Sequence, residues 1–82
     1  MAVNFDPNFP ETEEALLHRI TARGGCPRLR TQDLAVERVL ALLADGMSAA
    51  DIVRSYALQI DDIRACLVYA RRIVGYSTIA AN

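Results

Sequence analysis

The chain has 82 residues, of which 52% are hydrophobic and 23% charged, and its formal net charge at pH 7 is −1. This size fits one small domain, and the composition excludes a disordered chain. Arginine supplies all nine basic residues, which ten carboxylates outnumber, and this balance excludes strong non-specific binding to nucleic acid, because such binding depends on neutralising phosphates. An apolar excess in so small a chain is often covered by a second copy or by a partner protein, and we expect a homodimer.

The cysteines and the apolar segments predict the cellular compartment of the protein. Cys26 and Cys66 belong to neither a CxxC motif nor a Cys/His cluster, which favours two reduced thiols over the alternative, an intrachain disulfide. No apolar run approaches the length of a membrane span, and the first residues do not resemble a signal peptide. We therefore expect a cytoplasmic protein that does not bind membranes.

The first 33 residues divide into two segments. Residues 1–9 carry isolated phenylalanines and Pro7, which indicates an irregular arm. Residues 10–33 form an N-terminal helix and a turn: Pro10 and three glutamates suit a helix start, and the helix is predicted to end at about His18 or Ile20. The alternation of polar and apolar residues beyond the glycine-rich turn is compatible with one short strand.

Residues 34–75 are predicted to form a core of three helices, followed by a tail at 76–82. A stripe of apolar residues from Val36 to Leu43 marks the first helix, which Gly46 ends in a left-handed conformation. Ser48 caps the second helix, which is about two turns long. The third helix starts near Ile60 and ends at Gly75.

The third helix is apolar on more than one side. Its predicted inner face consists of Ile60, Ile63, Leu67, Ala70 and Val74. The residues predicted to form a partner interface on the outer face are Ala65, Val68 and Tyr69. The N-terminal helix, a twofold mate and another protein all remain open as the element that covers them.

The charged residues suggest a DNA surface. The candidate phosphate and base contacts are Arg28, Arg30, Arg64, Arg71 and Arg72. Asp61 and Asp62 stand at the start of the third helix, where a recognition helix would enter the major groove. We interpret both as partners of the helix dipole on a solvated face rather than as base readers.

Catalytic and metal chemistry have little support in the sequence. Glu14 precedes His18 by one helical turn, but no motif places a nucleophile or a second acid beside them. No ligand spacing for a metal is present, and Gly24-Gly25 lacks the other residues of a phosphate-binding loop. We predict neither an enzyme nor a bound cofactor or metal.

Two blocks of sequence resemble a known family. Leu-Leu-His-Arg-Ile at 16–20, with Gly-Cys-Pro-Arg-Leu-Arg at 25–30, is similar to the opening of the bacterial "domain of unknown function four-three-three" family, and residues 42–70 resemble its helical half. The chain departs from the family pattern at 31–33, where Thr-Gln-Asp replaces Gly-Thr-Arg, and at Ala57, which replaces a proline.

The resemblance implies a mainly α fold of the helix-turn-helix kind, homeodomain-like or winged-helix-like. It also implies a VapB-like antitoxin, which would neutralise a toxin protein and bind operator DNA. We therefore predict a non-enzymatic, antitoxin-like interaction protein that binds DNA through its helix-turn-helix and a toxin through exposed apolar helix surface. The alternative is a structural or adaptor homodimer without DNA binding.

Overall fold

A computed structural model of the protein describes residues 12–81, apart from the side chains of residue 23 and of residues 76–81. The predicted arm at 1–9 and the predicted helix start at Pro10 lie outside the described residues. The elements in chain order are α1 (Glu13–Leu17), β1 (Ile20–Thr21), a 3₁₀ turn (Arg23–Gly25), β2 (Arg28–Leu29), β3 (Leu34–Ala35), α2 (Val36–Ala44), α3 (Ala49–Tyr56) and α4 (Ile60–Ala81). The protein is thus a small, mainly helical domain with a three-stranded antiparallel sheet.

The N-terminal helix is shorter than predicted. Thr12 caps α1 by accepting a hydrogen bond from the Ala15 backbone N–H at 3.2 Å, and the helix ends at Leu17. Ile20, which the apolar stripe placed at the end of this helix, instead belongs to β1. Its side chain is buried and reaches the same core from a strand.

The sheet has three strands where the sequence was compatible with one. Ile20 pairs with Leu29, and Leu29 pairs with Leu34, in the antiparallel order β1–β2–β3. Because side chains alternate along a strand, Leu29 enters the core while its neighbours Arg28 and Arg30 remain outside. The polar–apolar alternation therefore did indicate a strand, although each strand is only two residues long.

The turn between α2 and α3 has the predicted form. Gly46 has a φ of 97°, the Gly46 N–H donates to the Leu43 carbonyl oxygen, and the Met47 N–H donates to the Leu42 carbonyl oxygen. This double closure is the Schellman motif, and Met47 packs against the core as its apolar cover. Ser48 then caps α3 by accepting a hydrogen bond from the Asp51 N–H at 3.1 Å.

Helix α4 packs against all three other helices. Its N-terminal half contributes Ile63, Ala65 and Cys66 to a core completed by Leu16, Ile20, Leu29, Val36, Val39, Ile52 and Leu58. The prediction that α4 ends at Gly75 is wrong, because the helix continues to Ala81 through the segment predicted as a tail. Glycine costs a helix interior only about 1 kcal/mol relative to alanine, so it does not by itself end a helix.

Candidate functional site: the two faces of helix α4

An apolar groove lies between α2 and the C-terminal half of α4. Its volume is about 260 Å³, and among the described residues that line it Glu37 alone is charged. Ile73 and Val74 are 53% and 63% exposed, which is unusual for large aliphatic side chains. The lining residues are Pro27, Val36, Glu37, Leu40, Tyr69, Ala70, Ile73 and Val74. We call this surface the α2–α4 groove.

The solvent-facing side of α4 carries a mixed stripe. The apolar residues Ile60 and Leu67 are 54% and 48% exposed. They alternate along the chain with Arg64 and Arg71, so that successive members of the stripe are three or four residues apart. Residues with this spacing share one face of a helix. This stripe points away from the core, so α4 has apolar side chains on a second side as well.

The predicted partner interface requires a correction. Ala65 is fully buried in the core, and Val68 and Tyr69 are half-buried against it, with Tyr69 also lining the α2–α4 groove. Conversely, Ile60 and Leu67 were predicted to face inward and are exposed. The predicted faces were rotated from the actual ones by about one residue, roughly 100° around the helix axis.

Asp62 lies on the buried side of the helix and is only 4% exposed. One oxygen of its carboxylate accepts the Gln59 backbone N–H at 2.8 Å, and the other accepts Arg19 Nη1 at 3.1 Å. The interpretation of Asp62 as a residue on a solvated face is therefore wrong. Its carboxylate does act at the helix start, since it caps the first turn and satisfies an N–H group there.

The three predicted DNA contacts that lie on α4, Arg64, Arg71 and Arg72, all form ion pairs within the chain. Arg71 and Arg72 both donate to the Glu13 carboxylate, with Arg72 Nη2 at 2.7 Å from Oε1. The hydrogen bond from Arg71, and then that from Arg72, hold the pKa of Glu13 below its ordinary value of 4.5. Arg64 Nη1 lies 3.1 Å from Oδ1 of Asp61. The contacts with Glu13 join α1 to α4, whereas the Arg64–Asp61 pair lies within α4. Together these ion pairs leave little net positive charge along the helix.

The other two predicted DNA contacts lie on the outer side of the sheet. Arg28 donates from Nε to the Asp33 carboxylate at 2.8 Å and from Nη2 to the Asp33 carbonyl oxygen at 2.9 Å. Arg30 donates from Nε to the His18 carbonyl oxygen at 3.0 Å and from Nη2 to the Ile20 carbonyl oxygen at 3.4 Å. The five predicted arginines thus occupy two separate surfaces, three on α4 and two on the sheet.

His18 is exposed at the edge of an open cleft of about 410 Å³. Glu14, Leu17, Ile20 and Arg30 line the same cleft. Within the described residues no group of three or more His, Cys, Asp or Glu side chains is arranged to hold a metal ion. Cys26 is exposed and Cys66 is buried, and the two are free thiols, as the sequence favoured.

Sequence reasoning missed Ile73 and Leu40 as members of an exposed apolar surface. Leu40 was assigned to the core, and Ile73 stood next to a predicted helix end. The signal that could have identified Ile73 is the apolar sequence that carries α4 past its predicted end to Ala81.

Comparison with known families identifies the family of this chain. A family model described as "Protein of unknown function (DUF433)" matches residues 21–70, which include Thr21 of β1, the strands β2 and β3, helices α2 and α3, and the first half of α4. The chain belongs to this family. Searches of curated proteins and of solved structures found no significant match. In the part of the chain that the structure describes, none of the helices combines the length and apolarity needed to span a bilayer.

Proposed function

We propose that this protein is a non-enzymatic interaction module of the antitoxin-like type, which binds a partner protein in the α2–α4 groove. The observation that carries the proposal is the groove itself, with Ile73 and Val74 more than half exposed beside Tyr69. Protein interfaces have apolar centres enriched in aromatic residues and depleted of charge. Tyrosine in particular combines a large contact area with a polar end.

The partner proposed is a toxin protein encoded by the neighbouring gene. A helix from such a partner could lie between α2 and α4 with its apolar side inward, as amphipathic helices do in hydrophobic grooves. Glu37 on the groove wall would then favour a basic residue at the rim of the partner helix.

The test compares two isoleucines of the same helix that are almost equally exposed. Ile73→Asp introduces a charge into the groove, whereas Ile60→Asp introduces the same charge on the opposite side of α4, where the side chain is 54% exposed. We expect Ile73→Asp to weaken binding of the co-expressed neighbouring gene product by a factor of ten or more, roughly 1.4 kcal/mol, and Ile60→Asp to have little effect. Equal binding by both variants would contradict the proposed groove.

A homodimer without DNA binding is the alternative role. In that case the groove would be covered by a second copy, and sedimentation equilibrium would give twice the chain mass for the isolated protein. Ile73→Asp would then convert the protein to a monomer, whether or not a second protein is present. A monomeric wild-type chain would contradict this alternative.

DNA binding is a second candidate function, and the order of the helices favours it. Helices α2, α3 and α4 follow one another with short connections, and residues 57–59 alone separate α3 from α4, as in a helix-turn-helix. The ion pairs of Arg71 and Arg72 with Glu13 count against α4 as the recognition helix, because they neutralise positive charge that would contact DNA. A gel shift with the region upstream of the gene tests the candidate: retardation that fades as salt rises would support it, and no retardation at low salt would contradict it.

A further inference from the structure

The outer side of the sheet contains an open cleft of about 310 Å³, lined by Thr21, Arg28, Arg30 and Asp33. We call it the Arg30 cleft. Arg28 and Asp33 form an ion pair within it, with 2.8 Å between Arg28 Nε and Oδ1 of Asp33. Arg30 therefore provides the remaining formal charge, and the described residues that line the cleft have a net charge of about +1 at neutral pH.

Arg30 differs from the other described arginines in its partners. Its guanidinium donates to two neutral backbone carbonyl oxygens, those of His18 and Ile20, and no ion pair within the described residues involves it. A carbonyl oxygen orients a guanidinium but does not cancel its charge. Two of the five N–H groups are used in these bonds, so three remain available to a ligand.

Arg30 is also held in place by its backbone. Its N–H donates to the Arg19 carbonyl oxygen at 2.7 Å, which extends the pairing of β1 with β2 by one residue. A side chain that is already ordered loses less conformational entropy on binding than a freely rotating one. Arg38, by contrast, is exposed and makes no hydrogen bond or ion pair in the described part of the chain.

We propose that the Arg30 cleft binds a backbone phosphate of double-stranded DNA. The proposal rests on the DNA-binding candidate above and identifies the contact that candidate would use. An open cleft suits one phosphate of a continuous strand, and a fixed guanidinium recognises phosphate oxygens through its planar fork. Asp33 lies in the same cleft, but its carboxylate is held by Arg28 on the side of the β2–β3 turn.

The test measures binding of a labelled duplex of the upstream region at several salt concentrations, using the full chain. Arg30→Gln should weaken binding about fivefold and reduce the slope of log K against log salt by about one. The control is Arg54→Gln, which removes an exposed arginine paired with Asp51 on α3 and should leave both quantities unchanged. Arg30→Lys should retain the salt slope and lose part of the affinity.

A second variant is needed in case Arg30→Gln fails to fold, because the Arg30 side chain bonds the carbonyl oxygens of His18 and Ile20. Thr21→Glu leaves Arg30 in place and adds a carboxylate to the cleft, so it should weaken binding to a similar extent. Circular dichroism melting identifies which variants are folded. If the wild type binds DNA and both Thr21→Glu and Arg30→Lys bind equally well, the phosphate site is overturned while the DNA-binding function stands.

A separate experiment distinguishes binding of a DNA backbone phosphate from binding of free phosphate. Inorganic phosphate replaces chloride at constant ionic strength, and the Arg30 Nε–H resonance is followed by NMR. A shift of this resonance with DNA, weaker with inorganic phosphate, supports the proposal. A wild type that does not bind the duplex at low salt overturns the DNA-binding function and this site together.

Discussion

Ala57 ends α3 in the left-handed conformation, with a φ of 56°. A residue with a Cβ pays about 1–2 kcal/mol for this conformation, which glycine adopts freely. We therefore expect Ala57→Gly to raise the free energy of unfolding by about 1 kcal/mol, measured by urea denaturation.

Ala50 in the same helix serves as a control, because glycine at this position should change the free energy of unfolding in the opposite direction. Ala50 is exposed within α3 and has ordinary helical geometry, so Ala50→Gly should lower the free energy of unfolding by about 0.5–1 kcal/mol. If the two substitutions had the same sign, the left-handed assignment of Ala57 would be contradicted.

The two thiols differ in environment and should differ in reactivity. Cys66 is fully buried, and burial, with a smaller effect of the nearby Asp62 charge, raises the pKa of its thiol to about 12. Cys26 is exposed. Because the thiolate is the reactive form, iodoacetamide at pH 8 should modify Cys26 alone in the folded protein and both cysteines after denaturation. Rapid double modification of the folded protein, read by mass spectrometry, would show that Cys66 is not in the core.

At the residue scale, Asp62 explains where sequence reasoning failed. Hydrophobic periodicity assigns a carboxylate to solvent, and the partner that makes its burial favourable, Arg19, stands 43 positions earlier in the chain. No local pattern predicts a contact over that separation. The turn at Gly46 was predictable because all its hydrogen bonds are local.

At the scale of the element, two glycines provide a test of how the helices end. Gly46 has a φ of 97°, and a Cβ there would contact nothing, so Gly46→Ala should cost about 1–2 kcal/mol through backbone strain alone. Gly75 lies within α4 and also has open space around a Cβ, so Gly75→Ala should stabilise the protein by about 0.5–1 kcal/mol. Thermal melting of both variants measures these effects, and destabilisation by Gly75→Ala would indicate that α4 ends there.

The attachment of α1 to α4 should depend on pH. The pKa of Glu13 is lowered by Arg71 and Arg72 in the folded state, so its contribution to stability is present above about pH 4.5 and is lost as pH falls through the lower folded value. NMR titration of the Glu13 carboxyl should therefore give a pKa below 4.5. The Glu13→Gln variant should lose less α1 helicity on acidification than the wild type does. Because the Arg71–Glu13 pair is exposed, added salt should reduce this difference in helicity between variant and wild type.

The strands were the least predictable elements. Each contains two residues, which is too short for an alternating pattern to stand out from chance. Their order depends on the turn at 30–33, where Asp33 adopts a φ of 54° and its N–H donates to the Leu29 carbonyl oxygen. This is the position at which the chain departs from the Gly-Thr-Arg pattern, and asparagine and aspartate are the side chains that best tolerate this conformation after glycine.

At the scale of the whole molecule, the helical core followed from composition and periodicity, whereas the candidate site did not. The apolar stripe from Val36 to Leu43 predicted the core-facing side of α2, and Val36 and Val39 within it are buried. The groove forms where Pro27 and α2 face residues 69–74 of α4, and this juxtaposition is a property of the assembled fold. The arginines were identified by type, but their ion pairs with Glu13, Asp33 and Asp61 required the structure.

The central claim is that the α2–α4 groove is the protein-binding surface. The most direct measurement is the methyl NMR spectrum of isoleucine-labelled protein, recorded with and without the neighbouring gene product. We expect the Ile73 methyl resonance to shift on complex formation, while that of Ile60, which is equally exposed on the other side of α4, remains in place. A shift of Ile60 with no change at Ile73 would contradict the claim.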